Sequence, residues 1–263
     1  MRTVLDVLAE KARERVAIAK RNISLREIIS QAESKELPLG EFAFEKALAT
    51  PDVAFICECK KASPSKGVIA EYFPYLEIAR EYESAGADAV SVLTEPSMFL
   101  GSDAYLRDIA ESISIPCLRK DFLVDEYMVY EAKVLGASAV LLICSILDDA
   151  GLKSYLEICD SLGLSALVEA HDENEIRRAL GAGARVIGVN NRNLKDFSVD
   201  PSNSMRLRRL VGERALFVAE SGIQTADDIA GLRSAGVDAV LIGETLMRAS
   251  DKHATLRALK GLS

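Results

Sequence analysis

The stretch AGADAVSVLTE, residues 85–95, decides the fold, because variants of it recur along the chain. The related stretches are LGASAVLLICS at 135–145, GARVIGVN at 183–190 and AGVDAVLIGE at 235–244. Each one follows an amphipathic helical run, places glycine where that helix would end and leads into a β-branched or leucine-rich run. The recurrence predicts repeating units of helix, glycine turn and buried strand, which are typical of a parallel sheet built from βα units.

Eight strands are predicted, at residues 53–60, 89–95, 117–121, 139–146, 165–170, 186–190, 215–220 and 239–243. Helical runs separate all of them, so the count is eight βα units in about 210 residues, which matches a (β/α)8 TIM barrel of the α/β class. A doubly wound sheet is the structural alternative, but no G-x-G-x-x-G motif opens the first helix, which favours the barrel.

The first fifty residues contain no predicted strand. Apolar side chains recur there at helical spacing, as at Leu5, Leu8, Ala12 and Val16. A second helix is expected to begin after Asn22, with Asn22 or Ser24 as its cap, and a short third helix is expected before Pro51. The chain is therefore predicted to be an N-terminal helical extension, residues 1–50, packed on one barrel of residues 51–263.

The composition excludes several classes of protein. The 263 residues carry a net charge of -8 with a pI near 5.0, whereas nucleic-acid-binding proteins usually present a basic face, so no nucleic-acid partner is expected. An anionic ligand would have to be attracted by a local cluster of bases. Charged residues interrupt the N-terminal segment too soon for a secretory signal, and no apolar run reaches membrane-spanning length. A cytoplasmic protein without a membrane partner is therefore expected.

The first predicted strand carries two opposite charges and two cysteines. Since side chains alternate along a strand, Glu58 and Lys60 share one face with Ile56, while Cys57 and Cys59 lie on the other, apolar face. A lone E-x-K could be a structural ion pair. The five cysteines of the chain, an odd number in apolar contexts, predict buried reduced thiols, and no metal site is expected because no second Cys or His pair stands near the C-x-C.

Polar residues follow the predicted strands at equivalent depth. In a (β/α)8 barrel the reacting groups lie at the C-terminal ends of the strands. Here those positions hold Glu58 and Lys60, Lys120, Glu169, Asn190 and Arg192, and Glu220 and Ser221. Surface solvation does not explain such a set, which predicts one site that contains both acids and bases.

Several of these residues have a structural alternative. Lys120 could simply pair with Asp121 or Glu58, but a lysine between two carboxylates keeps its positive charge, which suits a general acid or an electrostatic clamp on an anion. Burial of Glu169 is expected to raise its pKa towards a value useful for proton transfer. His171 is expected to lie past its strand, as a loop residue rather than a catalyst.

A phosphate site is predicted after the seventh and eighth strands, where barrels commonly bind phosphate through backbone N–H groups. Gly222 and Gly243 would allow the ligand to approach the backbone closely there. Ser63, in the loop after the first strand, would add a hydroxyl group. Phe122 and Pro64 could line a slot for an aromatic ring.

Seven motifs resemble those of the indole-3-glycerol phosphate synthase family. They occur in order from the first strand to the last and are highly specific together. The motifs are ECKKASPSKG (58–67), SVLTEP (91–96), LRKDF (118–122), LVEAHDE (167–173), IGVNNRNLKDF (187–197), VAESGI (218–223) and LIGETLM (241–247). The helical N-terminal segment is also similar to that family's extension over the barrel mouth.

The resemblance implies conversion of 1-(2-carboxyphenylamino)-1-deoxyribulose 5-phosphate into indole-3-glycerol phosphate, CO2 and water in tryptophan biosynthesis, without a metal or an organic cofactor. It implies that Lys120 is the general acid of ring closure and that Glu169 is a base or stabilises a cationic intermediate. It also implies that Lys60 contacts the substrate carboxylate and serves as acid in dehydration, with Glu58 as its partner. Further active-site positions are Asn190, Arg192, Glu220 and Ser221, and the phosphate-binding ones are Ser63, Gly222, Gly243 and Glu244.

Two other functions remain open at this level. A Schiff-base aldolase acting on a sugar phosphate would use Lys120 or Lys60 as its nucleophile. A barrel that only binds a phosphorylated ligand would have no need for both acids and bases. The expected partner is a small anionic molecule with a carboxylate and a phosphate, and association with other tryptophan-pathway enzymes is left open.

Overall fold

The computed structural model describes residues 3–193 and 197–262. Its strands are β1 (Ala54–Cys59), β2 (Ala62–Ser63), β3 (Gly67–Val68), β4 (Ala89–Leu93), β5 (Cys117–Lys120), β6 (Ala139–Ile143), β7 (Ser165–Ala170), β8 (Val186–Asn190), β9 (Leu216–Glu220) and β10 (Ala239–Ile242). Eight of them form a closed parallel barrel in the order β1-β10-β9-β8-β7-β6-β5-β4, with β4 paired to β1. The predicted (β/α)8 barrel is confirmed, and the doubly wound alternative is wrong because the sheet closes.

Helices separate the barrel strands and precede the first of them. They are α1 (Val4–Asn22), α2 (Leu25–Ser34), α3 (Ala43–Leu48), α4 (Tyr75–Ser84), α5 (Asp103–Ser112), α6 (Tyr127–Val134), α7 (Asp149–Leu162), α8 (Glu173–Ala182), α9 (Ser202–Val211), α10 (Ala226–Ser234), α11 (Glu244–Arg248) and α12 (Lys252–Leu259), with a 3-10 turn at Gly212–Arg214. None of the helices in the described part of the chain is long and apolar enough to cross a membrane.

Most predicted barrel strands are right to within one residue at each end, but two end early. The strand predicted at 89–95 ends at Leu93, because a buried glutamate carboxylate then accepts loop N–H groups in place of a neighbouring strand. The strand predicted at 139–146 ends at Ile143, whose carbonyl accepts the N–H of Ile146 at 3.1 Å. The small antiparallel hairpin β2–β3, within the loop after β1, was not predicted.

The core has two layers, separated by the barrel wall. Inward-facing side chains such as Ile56, Leu118 and Leu167 fill the barrel, while outward-facing ones such as Phe55 and Val140 pack against the helices. The alternation predicted for β1 is confirmed. All five cysteines are free and buried, as predicted, and those of β1 lie in the outer layer.

The helices that precede the barrel reach both of its ends. Phe44 and Leu48 of α3 are fully buried against the first residues of several barrel strands, so α3 closes the N-terminal end. Leu5 and Leu8 of α1 line the cavity at the opposite end. Ser24 caps α2 by accepting a backbone N–H at 3.2 Å, which settles the choice between the two predicted caps.

Candidate active site

A cavity of about 1060 Å³ opens at the carboxyl ends of the barrel strands. All of the positions that the sequence assigned to a site line this cavity. They are Glu58, Lys60, Ser63, Pro64, Lys120, Phe122, Glu169, Asn190, Arg192, Glu220, Ser221, Gly222, Gly243 and Glu244. The structure therefore brings these positions together in one place, while their chemical roles stay predictions.

Lys120, the last residue of β5, reaches across the mouth of the barrel between two carboxylates. Its Nζ lies 3.2 Å from Glu169 Oε2 on β7 and 3.5 Å from Glu220 Oε2 on β9. Because β9 lies opposite β5 in the closed barrel, only a long side chain spans this distance. The partners named in the structural alternative for Lys120 are wrong, because Lys120 pairs with Glu169 and Glu220. Asp121 pairs with Arg15 instead, and Glu58 pairs with Lys60.

The cluster of Lys120, Glu169 and Glu220, called here the Lys120 triad, holds one cation and two buried carboxylates. Burial disfavours the charged amine, but the two carboxylates outweigh it and raise the pKa of Lys120. Burial, offset only in part by Lys120, raises the pKa of Glu220 to about 8. This raised pKa favours the protonated form of Glu220 at neutral pH.

Glu169 behaves in the opposite way, although it is just as deeply buried. Burial alone would raise its pKa, but the positive charges of Lys120 and His171 and hydrogen bonds from Lys120 and Asn190 lower it below the ordinary value. The expectation that burial raises the pKa of Glu169 is therefore wrong, and it applies to Glu220 instead. The triad contains one ionised and one protonated carboxyl group whose pKa values are pushed apart, which is a common feature of acid–base sites.

Glu58 and Lys60 form a separate ion pair, called here the Lys60 pair, at the end of β1. Lys60 Nζ donates to Glu58 Oε1, and Ser91 Oγ on the neighbouring strand β4 lies 3.5 Å from Glu58 Oε2. The Glu58 side chain is 5% exposed and that of Lys60 is 17% exposed. The carboxylate is therefore the inner member of the pair, and the ammonium group is the more accessible one.

Two glycines leave room for these carboxylates. A Cβ atom at Gly188 on β8 would collide with Glu220 Oε1. A Cβ atom at Gly243, directly after β10, would collide with Glu58 Oε1 and lie 2.8 Å from Lys60 Nζ. The sequence assigned Gly243 to a phosphate site and missed Gly188, because packing across a barrel leaves no local pattern in the sequence.

The turn after β9 has an unusual backbone. Ser221 and Gly222 both lie in the left-handed region, with φ of 69° and 82°. The Ser221 carbonyl accepts a hydrogen bond from Asn191 Nδ2 at 3.1 Å, which holds the turn. A residue with a side chain is strained by about 1–3 kcal/mol in such a conformation, and strain of this kind concentrates at ligand sites.

Three cations surround the carboxylate of Glu244 at this end of the cavity. Lys66 Nζ lies 3.2 Å from Oε1, Arg248 Nε lies 3.1 Å from Oε1 and Arg192 Nη2 lies 3.8 Å from Oε2. The cations outnumber the single carboxylate, so this end has the local excess of positive charge that an acidic protein needs to attract an anion. The carboxylate of Glu244 itself repels a phosphate, so only its backbone could bind one.

The opposite wall is apolar. Phe122, two residues after the end of β5, packs near Phe99 with ring centroids 6.0 Å apart. Leu8 of α1 and Pro64 line the same cavity. The position of Phe122 at a predicted strand end marks it in the sequence, whereas Phe99, in a loop beyond the end of β4, has no such signal.

The first helix is tied to the strand end that carries Lys120. Arg15 of α1 donates two hydrogen bonds to Asp121, at 2.9 Å and 2.7 Å, and Thr94 Oγ1 donates a third at 2.6 Å. This contact fixes α1 over the cavity. The sequence did not point to Arg15, because the polar side of an amphipathic helix gives no sign of which charge has a buried partner.

His171 follows β7 directly, as predicted, and its imidazole lies beside Glu169. Within residues 3–193 and 197–262, no group of three His, Cys, Asp or Glu side chains could hold a metal ion. Residues 194–196, which belong to the motif at 187–197, lie outside the described residues.

The sequence of the chain is similar to those of known proteins along nearly its whole length. A family model described as indole-3-glycerol phosphate synthase matches residues 5–259. The indole-3-glycerol phosphate synthase of Ruminiclostridium cellulolyticum is 57% identical over 258 residues, covering 98% of this chain and 99% of that protein. The protein of the same name from Lachnoclostridium phytofermentans is 49% identical over 270 residues, with 98% and 99% coverage.

Solved structures that are similar in shape share only the fold. The 3-hexulose-6-phosphate synthase of Salmonella typhimurium superposes with a TM-score of 0.66 at 16% identity, covering 80% of this chain and 97% of that one. The thiamine phosphate pyrophosphorylase of Pyrococcus furiosus gives a TM-score of 0.58 at 17% identity, with 80% and 94% coverage.

Proposed function

The chain belongs to the indole-3-glycerol phosphate synthase family, and we propose that the Lys120 triad and the Lys60 pair divide the proton transfers of its reaction between them. The enzyme is a carboxy-lyase of tryptophan biosynthesis. It converts 1-(2-carboxyphenylamino)-1-deoxyribulose 5-phosphate into indole-3-glycerol phosphate with release of CO2 and water. A small, phosphate-bearing molecule is therefore its substrate.

Lys120 is the general acid of ring closure in this proposal. The ring carbon that bears the carboxylate attacks the ketone carbon, and the ketone oxygen takes a proton from Lys120 Nζ. The observation that carries this role is the position of Nζ between Glu169 and Glu220, at 3.2 Å and 3.5 Å, which keeps the amine protonated until a developing oxyanion accepts the proton.

Glu169 is the ionised member of the triad and faces the cation that forms after ring closure. Loss of CO2 returns the electron pair of the broken carbon–carbon bond to the six-membered ring. Glu169 either stabilises the cationic intermediates electrostatically or accepts a proton from one of them. Its lowered pKa, due to Lys120 and His171 despite burial, supplies the negative charge that both roles require.

The Lys60 pair is proposed to bind the substrate carboxylate and to carry out the proton transfers of dehydration. Lys60, the more accessible member, binds the substrate carboxylate and then protonates the hydroxyl group that leaves as water. Glu58 holds the Lys60 ammonium in place and is a candidate acceptor for the last proton, which must leave the ring carbon next to nitrogen. Asn190 joins the triad through its hydrogen bond to Glu169.

The substrate is proposed to lie across the cavity with its two anionic ends apart. Its phosphate would lie at the turn of Ser221 and Gly222 and the start of α11, near Arg192 and within reach of Ser63. The aromatic ring would lie against Phe122. The excess of cations near Glu244 and the apolar wall at the other side support this orientation.

The assay is the appearance of indole fluorescence from the carboxyphenylamino substrate without added metal. A Schiff-base mechanism makes a different prediction, since borohydride would then trap a covalent adduct with a ketose phosphate. We expect none, because a nucleophilic amine needs a lowered pKa, whereas the carboxylates raise that of Lys120. Trapping at Lys120 would contradict the proposed general acid.

The proposal extends to the setting of the enzyme. Residues 1–50 form an extension that packs on a single barrel of residues 51–263. The ion pair between Arg15 of the extension and Asp121 of the barrel supports this packing. The protein works in the cytoplasm on a small anionic molecule, without nucleic acid, membrane, metal or organic cofactor. Association with other tryptophan-pathway enzymes would be tested by co-sedimentation.

A further inference from the structure

The imidazole of His171 is held between two carboxylates behind the cavity. Its Nδ1 lies 3.1 Å from Glu175 Oε2, and its backbone N–H donates to the same oxygen at 2.8 Å. Asn203 of α9 donates to the His171 carbonyl at 3.2 Å. The ring is therefore fixed by α8 and α9, with only 22% of its side chain exposed.

The other ring nitrogen is directed at the active site. His171 Nε2 is buried without a hydrogen-bond partner and lies 3.6 Å from Glu169 Oε1. The second oxygen of Glu169, Oε2, lies 3.2 Å from Lys120 Nζ. Glu169 thus faces the ammonium group of Lys120 at one oxygen and the imidazole of His171 at the other.

Glu220 differs from Glu169 in this respect. Its Oε2 lies 3.5 Å from Lys120 Nζ, the same ammonium group that Glu169 contacts. Its Oε1 is buried beside Gly188 without a hydrogen-bond partner. Two carboxylates that compete for one ammonium group cannot both ionise without a large cost, so one of them takes up a proton. Lys120 already favours ionisation of Glu169, to which it donates a hydrogen bond at 3.2 Å, and His171 adds a second group beside the same carboxylate.

We propose that His171 is a positioning residue that strengthens the preference of the Lys120 triad for an ionised Glu169 over an ionised Glu220. Its imidazolium fixes the negative charge on Glu169 and thereby leaves the proton on Glu220. His171 acts through Glu169 and is not among the residues that line the cavity. This inference rests on the proposed role of Glu169 in the reaction.

The surroundings of His171 favour its charged form. Burial lowers the pKa of His171, but the hydrogen bond to Glu175 and the negative charges of Glu169 and Glu175 outweigh it and raise the pKa above the ordinary value. Arg178 and Cys144 face Glu175 from α8 and from the end of β6. One carboxylate therefore faces each nitrogen of the ring.

The first test is the pH dependence of kcat/KM, whose acid limb reports the ionisation of Glu169 in the free enzyme. In His171→Gln the positive charge is lost, so the pKa of Glu169 rises and the acid limb moves to higher pH by about one unit. The alkaline plateau stays within about twofold, because Glu169 is ionised there in both proteins. His171→Lys, which keeps a positive charge, restores the wild-type limb.

The second test needs no turnover. The chain has only two histidines, so His253→Gln, an exposed substitution on α12, assigns both imidazole resonances by NMR. The titration midpoint of His171 is expected above the usual imidazole value of about 6.5. Glu175→Gln and Glu169→Gln are each expected to lower this midpoint, because each removes a carboxylate that faces the ring.

The outcomes distinguish a failure of the role proposed for His171 from a failure of the proposed function. A uniform loss of kcat/KM in His171→Gln with an unmoved acid limb means that the residue is only structural and overturns the inference. A His171 midpoint that does not respond to Glu169→Gln overturns it too, even if His171→Gln fails to fold. Absence of indole product from the wild-type enzyme at every pH contradicts the proposed function instead and leaves the NMR result valid.

Discussion

Lys60 and Lys120 stand at the same end of the barrel, yet their environments differ in the number of carboxylates. The ammonium group of Lys60 contacts one carboxylate, that of Glu58, and the two opposite charges balance each other. Lys120 meets two, Glu169 and Glu220. The triad is balanced only when one of its carboxyl groups holds a proton, so it can store a proton at neutral pH next to an ionised base.

The two clusters also arise from different levels of structure. Glu58 and Lys60 are two residues apart on one strand, so local alternation places them side by side. The members of the triad come from three strands, and β5 and β9 lie opposite each other in the barrel. The Lys60 pair therefore depends on local geometry, whereas the triad exists only when the barrel is closed.

The largest expected effect comes from removing the two lysines in turn. Lys120→Ala should lower kcat by about 10³-fold or more, within the range for loss of a general acid, and Lys60→Ala by about 10²-fold. Lys120→Arg keeps the positive charge, but its planar guanidinium group cannot take the position of Nζ between the two carboxylates, so it should remain impaired. Single-turnover indole fluorescence measures the effect.

Circular dichroism and thermal unfolding of the same variants show whether the barrel persists. Without Lys120, Glu169 can take up a proton, which limits the cost of leaving two buried carboxylates together. A Lys120→Ala enzyme that retained turnover near the wild-type rate would remove Lys120 from the role of acid. A Lys60→Ala enzyme more damaged than Lys120→Ala would reverse the order proposed for the two clusters.

The next effect distinguishes the two carboxylates of the triad. At pH 7, Glu169→Gln removes a negative charge and should lower kcat by about 10²-fold. Glu220→Gln replaces a carboxyl group that is already protonated with a neutral amide of similar shape, so the loss should be about tenfold or less. Equal losses, or a larger loss in Glu220→Gln, would contradict the assigned protonation states.

The sequence could predict the barrel and the face on which the site lies, because both follow from short-range periodicity. Repeated glycine turns indicated βα units, the strand-like runs between helical segments supplied the count of eight, and alternation placed Glu58 and Lys60 inside the barrel. The partners of Lys120 could not be predicted, because a contact between opposite strands depends on the closure of the sheet. The pKa of Glu169 was predicted in the wrong direction, because burial was considered without Lys120 and His171, whose distances only the structure supplies.

A smaller effect is expected at the two glycines that make room for the carboxylates. Gly188→Ala displaces Glu220 and Gly243→Ala displaces the Lys60 pair. Each should lower kcat by about tenfold, since a shift of a catalytic group by a fraction of an ångström is costly. Only Gly188→Ala should also change the shape of the pH–rate profile, because only that substitution moves a member of the triad.

Gly181→Ala is the matched control for these two variants. Gly181 lies in α8, has no neighbour within 4 Å of an added Cβ and has an ordinary helical backbone. Activity should be unchanged, and the helix should be slightly more stable by up to about 1 kcal/mol. Full activity in Gly188→Ala or Gly243→Ala would show that the carboxylates can move without consequence.

The smallest effect is a change in stability with pH. The pKa of Glu220 is raised in the folded protein from its ordinary value of about 4.5 to about 8. A raised pKa means that the folded state holds the proton more tightly, so the contribution of Glu220 to stability is present below pH 4.5 and is lost as the pH rises towards 8. Glu220→Gln does not titrate and should avoid this loss.

Urea unfolding at pH 5 and pH 9 measures the difference. The two proteins should be similar at pH 5, and Glu220→Gln should be the more stable one at pH 9 by up to about 4 kcal/mol. Glu157→Gln, at an exposed position of α7 that is paired with Lys153 at 3.9 Å, should show no such trend. A constant difference between the Glu220 variant and the wild type at all pH values would mean that the triad ionises both carboxylates in the folded state, and the contrast with the Lys60 pair would disappear.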